Sequence, residues 1–136
     1  MLRQISLFSV IGVVGFLVDS AVLYALVIFF DLNPYGARLG SYLVAATTTW
    51  ALNRNFTFRD QRSAHLHREW ATFLVVNGVG GAINYLVYSS VIYYFSGSGL
   101  FPLLGVACGS LAGLVFNFSL SKTLVFRAKP TRDSSG

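Results

Sequence analysis

The polar side chains with the strongest chemical claim stand inside or beside long apolar runs. They are Asp19, Arg38, Asn53, Arg54, Arg59, Asn77, Asn84, Asn117, Lys122 and Arg127. Four of them are cations set twice into one pattern. Arg54-Asn55-Phe56-Thr57-Phe58-Arg59 closes one half of the chain, and Lys122-Thr123-Leu124-Val125-Phe126-Arg127 closes the other. Each reads cation, spacer, apolar, spacer, Phe, Arg. A doubled cationic collar beside apolar sequence can hold an anionic headgroup at a membrane surface, with about 1 kcal/mol of attraction per Lys or Arg. Arginine adds planar, bidentate hydrogen bonding to phosphate, which a lysine lacks. The first copy is therefore expected to be the better phosphate ligand, and the second to lean toward topology anchoring. Phe56, Phe58 and Phe126 are expected to border the acyl region.

Asp19 lies near the middle of the first apolar run, where an acid costs about 2.5–3.5 kcal/mol on insertion scales. Gly12 and Gly15 share its face, so it should look into a helix interface. Two roles stay open for it: a titrating or coordinating group in a path across the membrane, or a buried acid bonded to Asn84 or paired with Arg38. Arg38 falls about one turn inside the second apolar run. It can snorkel to headgroups, neutralise Asp19, or hold a phosphate. Asn53 and Asn117 can place amides beside Arg54 and Lys122, and Asn77 and Asn84 share one face of the third run.

These residues must be positioned by membrane helices. Of 136 residues, 54% are hydrophobic and 11% charged, against about 25% charged in a soluble domain. Apolar segments run over about 6–30, 35–53, 70–95 and 100–121. Backbone groups in lipid must be satisfied internally, so each should be a helix. Tyr35, Tyr42, Trp50, Trp70, Tyr93 and Tyr94 fall near the ends, as interfacial aromatics do. The expected fold is an all-α polytopic membrane protein of four transmembrane helices. Residues 6–127 form its one domain, and 128–136 a disordered polar tail. The first run is too long for the core of a signal peptide.

The two halves repeat. An offset of 68 superimposes Pro34 on Pro102, Arg54 on Lys122 and Phe58-Arg59 on Phe126-Arg127. An offset of 65 superimposes Phe8 on Phe73, Gly15 on Gly80 and Asp19 on Asn84. Each unit holds two spans, so the copies are parallel hairpins, with the short Ser96-Gly97-Ser98-Gly99 link inside the second. Binding sites often lie between such repeats. Arg3, the cations of the central loop and those of the C-terminal segment, Lys129 and Arg132 included, share one side. The positive-inside rule then places both termini in the cytoplasm. An i, i+4 stripe of Gly105, Gly109, Gly113, Asn117 and Ser121 matches Ala37, Ser41, Ala45, Thr49 and Asn53. Such stripes let helices approach closely. The first role expected of the stripe is a tight helix–helix seam; four short spans enclose little volume, so a homodimer is also expected, with the glycine stripe as a candidate contact.

Several classes are disfavoured. The lone Cys108 and two histidines make a zinc site improbable. No phosphate loop, nucleophile elbow or paired carboxylates appear, so neither an enzyme nor a cofactor is expected. The cations flank membrane segments, which argues for membrane lipids and against nucleic acid.

The Phe8-x-x-x-Gly12-x-x-Gly15-x-x-x-Asp19 helix resembles that of the GtrA-like family of small four-span membrane proteins. The Asn53-to-Arg59 terminus, Asn77, Asn84, Asn117-Phe118, Lys122 and Phe126-Arg127 extend the resemblance over nearly the whole chain. Ser121-Lys122 departs mildly from the family's usual Asn/Ser-Arg pair. The resemblance implies movement of a polyprenyl-phosphate-linked monosaccharide across the cytoplasmic (inner) membrane for cell-surface polysaccharide or glycolipid synthesis. It implies Asp19, Asn53, Arg54, Asn84, Asn117 and Lys122 as the polar family-pattern residues. Phosphate and sugar contacts are expected from these together with Asn77, Arg38, Arg59 and Arg127. The rival reading is a non-transporting anchor that recruits a membrane glycosyltransferase. A small-cation exporter using Asp19 is a third, opposed by the excess of basic-side cations.

Overall fold

The structure, a computed structural model, describes residues 1–95 and 101–127. The Ser96–Gly99 link and the 128–136 tail, with Lys129 and Arg132, lie outside the described residues. Four helices form two hairpins: α1 (Leu2–Ile28) with α2 (Pro34–Leu52), and α3 (Leu66–Phe95) with α4 (Phe101–Leu120). The architecture is the all-α polytopic membrane fold that the apolar segments require. By length and composition, α1, α3 and the stretch Leu104–Val125 can each cross a membrane, whereas α2 is too polar to qualify. Helix α2 carries Arg38, Ser41 and three threonines at 47–49, and it buries Ala37, Ser41 and Ala45. Helices α1 and α3 each start four residues before the apolar runs do, so their first turns stand clear of the apolar zone.

Local chemistry explains the first hairpin's turn. Asp31 takes a left-handed conformation, φ 50°, which Asp tolerates better than bulkier residues. Asn33 then caps α2, its Oδ1 accepting the Tyr35 N–H at 2.9 Å, with Pro34 in the first turn where it forfeits no helical hydrogen bond.

Both α2 and α4 end in a π-helical turn, Asn53–Thr57 and Ser121–Val125. The Phe58 N–H donates to the Asn53 carbonyl and the Phe126 N–H to the Ser121 carbonyl, each at 2.8 Å. Such turns are rare and usually single, so finding one at each end of the 68-residue offset shows the duplication in the backbone itself. The extra residue per turn swings the next side chain back toward the bundle. Phe58 and Phe126 are consequently almost fully buried and stack at 4.6 Å between centroids, 14° apart. Phe8 meets Phe58 edge-on at 6.3 Å, and its counterpart Phe73 meets Phe126 at 6.2 Å. Phe118, Val76 and Val125 complete this core. The expectation that Phe58 and Phe126 border the acyl region is therefore corrected: the π turn turns them inward, and only Phe56 of the three is exposed.

Glycines set the spacing within each hairpin. The packing of α3 on α4 and of α1 on α2 dominates the molecule. A Cβ on Gly109 would sit 2.6 Å from the Asn84 carbonyl oxygen, and one on Gly113 3.2 Å from that of Gly80. A Cβ on Gly105 would crowd the Tyr88 ring. The glycine stripe is thus spent inside the second hairpin. The helix–helix seam is therefore the role realised, and with α3 covering that face the stripe is not open to a dimer contact.

A polar knot ties the hairpins together. The Glu69 side chain is fully buried, and its Oε1 accepts from Arg54 Nη1 at 2.5 Å and from Trp50 Nε1 at 3.1 Å. Its Oε2 accepts the Ser63 N–H at 2.7 Å, while Arg54 Nη2 donates to the Ser63 carbonyl at 3.1 Å. A buried carboxylate is tolerable only when paired and hydrogen-bonded, and this one satisfies both demands. It joins the end of α2, the intervening loop and the start of α3. Trp70 Nε1 donating to Thr47 Oγ1 (3.0 Å) and the Tyr42 hydroxyl donating to the Leu74 carbonyl (2.9 Å) continue the seam.

Removing one partner of a buried ion pair costs about 3–5 kcal/mol. Glu69→Ala should lower stability by that order in denaturant unfolding in detergent, and Arg54→Met with Glu69→Leu together should cost less than Glu69→Ala alone. Unchanged unfolding in Glu69→Ala would show the knot to be idle. Gly109→Ala should cost about 1–3 kcal/mol by overpacking, whereas Gly36→Ala, whose added Cβ meets nothing within 4 Å, should be neutral or better in the same denaturant unfolding.

Candidate functional site

The hairpins meet along α2 and α3 and barely along α1 and α4. Between them lies a cavity of about 640 Å³, walled by all four helices and lined toward the basic end by Phe8 and Phe73 of the aromatic core. Four helices with so little direct contact between hairpins leave this space because Gly12, Gly15, Gly80, Gly81 and Gly113 line it in place of larger side chains. Small residues here serve two ends, close approach within a hairpin and free volume between hairpins.

The polar lining is ordered by depth. Asn53 lies nearest the aromatic floor, followed by Asn77, Thr49 and Asn117, and then by Asp19, Tyr42, Asn84 and Ser110. From Phe8 to Asp19 the wall rises about 16 Å at the helical 1.5 Å per residue, so the polar groups reach deep into the apolar zone. Counterparts in the two copies differ in chemistry. Asp19 is matched by Asn84, Gly12 by Asn77 and Thr49 by Asn117, which makes the second hairpin the richer in amides.

Asp19 pairs with Arg38, through Oδ2 and Nη1, and not with Asn84. Of the two structural roles open to this acid, the ion pair is the one realised. Arg38 is more than half exposed while Asp19 is mostly buried, so the cation faces outward and the acid inward. The other carboxylate oxygen, Oδ1, is buried without a hydrogen-bond donor among the described residues. Asn84 instead packs on Gly109 and Gly113 of α4. Asn77 spends Nδ2 on the Phe73 carbonyl at 2.9 Å. Asn117 fits over Gly80, where any Cβ would collide with its carboxamide, and its Oδ1 is also buried without a donor. Asn53 accepts the Thr57 hydroxyl at 2.8 Å, which braces the π turn.

The basic collar is not one ring. Among the described residues, no Lys or Arg lines the cavity. Arg54 is held by Glu69 and Ser63. Lys122 has no acid partner among the described residues; its Nζ sits 5.9 Å from the Phe118 ring centroid. The duplication explains the difference, since the offset of 65 places Gln4 where Glu69 stands in the other copy. Arg59 is well exposed, 4.0 Å from Asp60. It borders a small depression of about 140 Å³ with Arg3, Gln4 and Asn55. Arg127 is exposed and donates to the Thr123 carbonyl at 3.2 Å. Asn53 and Arg54 thus diverge, the amide toward the cavity and the cation toward the knot.

Sequence reading passed over Glu69, Ser9, Tyr42 and Ser110. Glu69 carried a signal: it is the last residue before the apolar run that begins at Trp70, a poor place for an unpaired acid. Ser9 and Ser110 carried none, because an isolated serine in an apolar helix commonly bonds back to its own backbone, as Ser9 does with the Ile5 carbonyl.

The chain matches the family model for the GtrA/DPMS transmembrane domain over residues 7–126. It is also similar to the uncharacterized membrane protein YngA of Bacillus subtilis (strain 168), with 26% identity over 125 residues, covering 92% of this chain and 80% of that protein. The family match takes in both hairpins, the cavity between them and both π-helical ends, and this chain belongs to the GtrA/DPMS transmembrane-domain family.

Proposed function

We propose that this multi-pass membrane protein carries a polyprenyl-phosphate-linked monosaccharide across the cytoplasmic membrane and catalyses no bond chemistry itself. Membership of the family points to glycolipid and polysaccharide biosynthesis. The observation that supports the finer reading is the cavity between the hairpins, whose largely apolar wall is interrupted by a run of amides and one acid reaching into the apolar zone.

The barrier to such movement is dehydration of the phosphate and sugar, because unpaired polar groups are costly in hydrocarbon. A cavity lined by amides lowers that barrier, while the polyprenyl tail stays in lipid. Lys122 is the first phosphate contact, since among the described residues no acid neighbour neutralises its charge. Arg59 and Arg127 add long-range attraction. Arg38, at the far end and outside the cavity lining, meets the phosphate at the opposite membrane face. Arg54 acts as a brace, and it contacts phosphate only if it leaves Glu69. The basic end faces the cytoplasm by the positive-inside rule, with the N- and C-terminal segments on that side.

Proteoliposomes with a labelled short-chain polyprenyl-phosphate hexose test the reading. Purified protein should equilibrate the label between leaflets. Lys122→Ala should slow the initial rate about tenfold, equivalent to roughly 1.4 kcal/mol, and Lys122→Arg should retain it. No equilibration by folded protein would sink translocation and favour the anchoring of a glycosyltransferase.

A further inference from the structure

We infer that the cavity between the hairpins seats the sugar and excludes the phosphate, so the headgroup is divided between a neutral polyol site and a separate cationic contact at Lys122. The ligand class rests on the translocation reading above; the division itself comes from the chemistry of the walls.

The cavity's lining contains no cation, and its one charged group is Asp19. That acid has its Oδ2 paired to Arg38, whose side chain is not part of the lining. A phosphate entering there meets a carboxylate, and the one guanidinium beside it, that of Arg38, is already taken up by Asp19 Oδ2.

Hydrogen-bond inventory points the same way. Two buried oxygens, Asp19 Oδ1 and Asn117 Oδ1, have no donor among the described residues. Both residues line the cavity, Asn117 with its Oδ1 packed on Gly80, so a ligand meets these oxygens by turning the side chains toward it. A buried acceptor left unmet is costly, and the group that meets it must donate. Sugar hydroxyls donate and accept, whereas an ionised phosphate diester only accepts. Carboxamides have the same dual character, so Asn77, Asn84 and Asn117 can each bond a hydroxyl in either sense. Phe8 and Phe73 at the floor and the glycine-lined walls offer apolar surface to the C–H faces of a ring. A volume of about 640 Å³ falls inside the roughly 300–1,000 Å³ of small-molecule sites. The amides cluster in the second hairpin, which makes α3 and α4 the sugar-reading half.

Binding to the purified full-length protein in detergent, followed by intrinsic tryptophan fluorescence, decides the matter with two probes. These are a short-chain polyprenyl phosphate and the same chain carrying a hexose on its phosphate. The glycosylated lipid should bind at least about tenfold more tightly. Asn84→Ala and Asn117→Ala should erase that preference and leave affinity for the bare phosphate within about twofold. Lys122→Ala should weaken both probes alike. Should Asn117→Ala fail to fold, Asn77→Ala, at a position whose counterpart is Gly12, gives the same reading. Equal affinity of the wild-type protein for both probes, or amide variants that weaken the bare phosphate as much as the glycosylated lipid, overturns the division while leaving translocation standing. Failure of the folded protein to bind either probe overturns translocation and the division with it.

Discussion

Phe58 stacked on Phe126 joins the two hairpins at the basic end, beside the seam between α2 and α3. The rings come from equivalent positions of the two copies, and each is delivered by a π-helical turn that an ordinary α-helical ending would not provide. Phe8 and Phe73 then press on them edge-on, in equivalent geometry. Aromatic pairs of this kind contribute about 0.5–1.5 kcal/mol each beyond the area they bury. Concentrating them at one end lets the rest of the interface stay open, and that opening is the cavity. The contact that holds the halves together also forms the floor of the space between them.

Glycine and charge divide the remaining work. Inside each hairpin, glycines allow backbone-to-side-chain contact, as Gly80 does for Asn117 and Gly109 for Asn84. In a membrane, where lipid chains compete equally for apolar surface, such close packing is a principal source of helix association. The seam between hairpins relies instead on the Glu69 knot, beside the loop at the basic end. Partial exposure of Arg54 there moderates the cost of burying the ion pair. Its second-copy counterpart Lys122, with Gln4 in place of an acid, keeps its charge available.

Duplication followed by divergence thus gives the two terminal cations different surroundings. One copy spends its cation on holding the chain together; the other leaves it without an acid partner among the described residues. Likewise one hairpin carries an ion pair, Asp19 with Arg38, where the other places Asn84 with no arginine opposite, and the neutral half contributes most of the amides. An asymmetric lining of this kind is what a ligand with unlike ends requires.

Much of the fold was legible in the residues. Four apolar runs with polar punctuation dictate four helices, because a backbone in lipid must bond to itself. Matching offsets of Phe8 with Phe73 and Arg54 with Lys122 dictate a repeated hairpin, and the polar residues of the cavity were legible as Asp19, Asn53, Asn77, Asn84 and Asn117. Partner choice was not legible. Periodicity says which face of a helix a residue occupies but not what the next helix places against it. Hence the glycine stripe could be assigned to a dimer when α3 already filled it, and Arg54 could rank above Lys122 until Glu69 was seen beside it. The inward turn of Phe58 and Phe126 was hidden for a related reason: a π turn shifts the helical phase by one residue, and no pattern of period 3.6 announces it. Sequence alone determined the helices, their repeat and the inventory of polar groups. Only the tertiary structure decided which of those groups satisfy one another and which remain for a ligand, because that depends on distances between segments far apart in the chain.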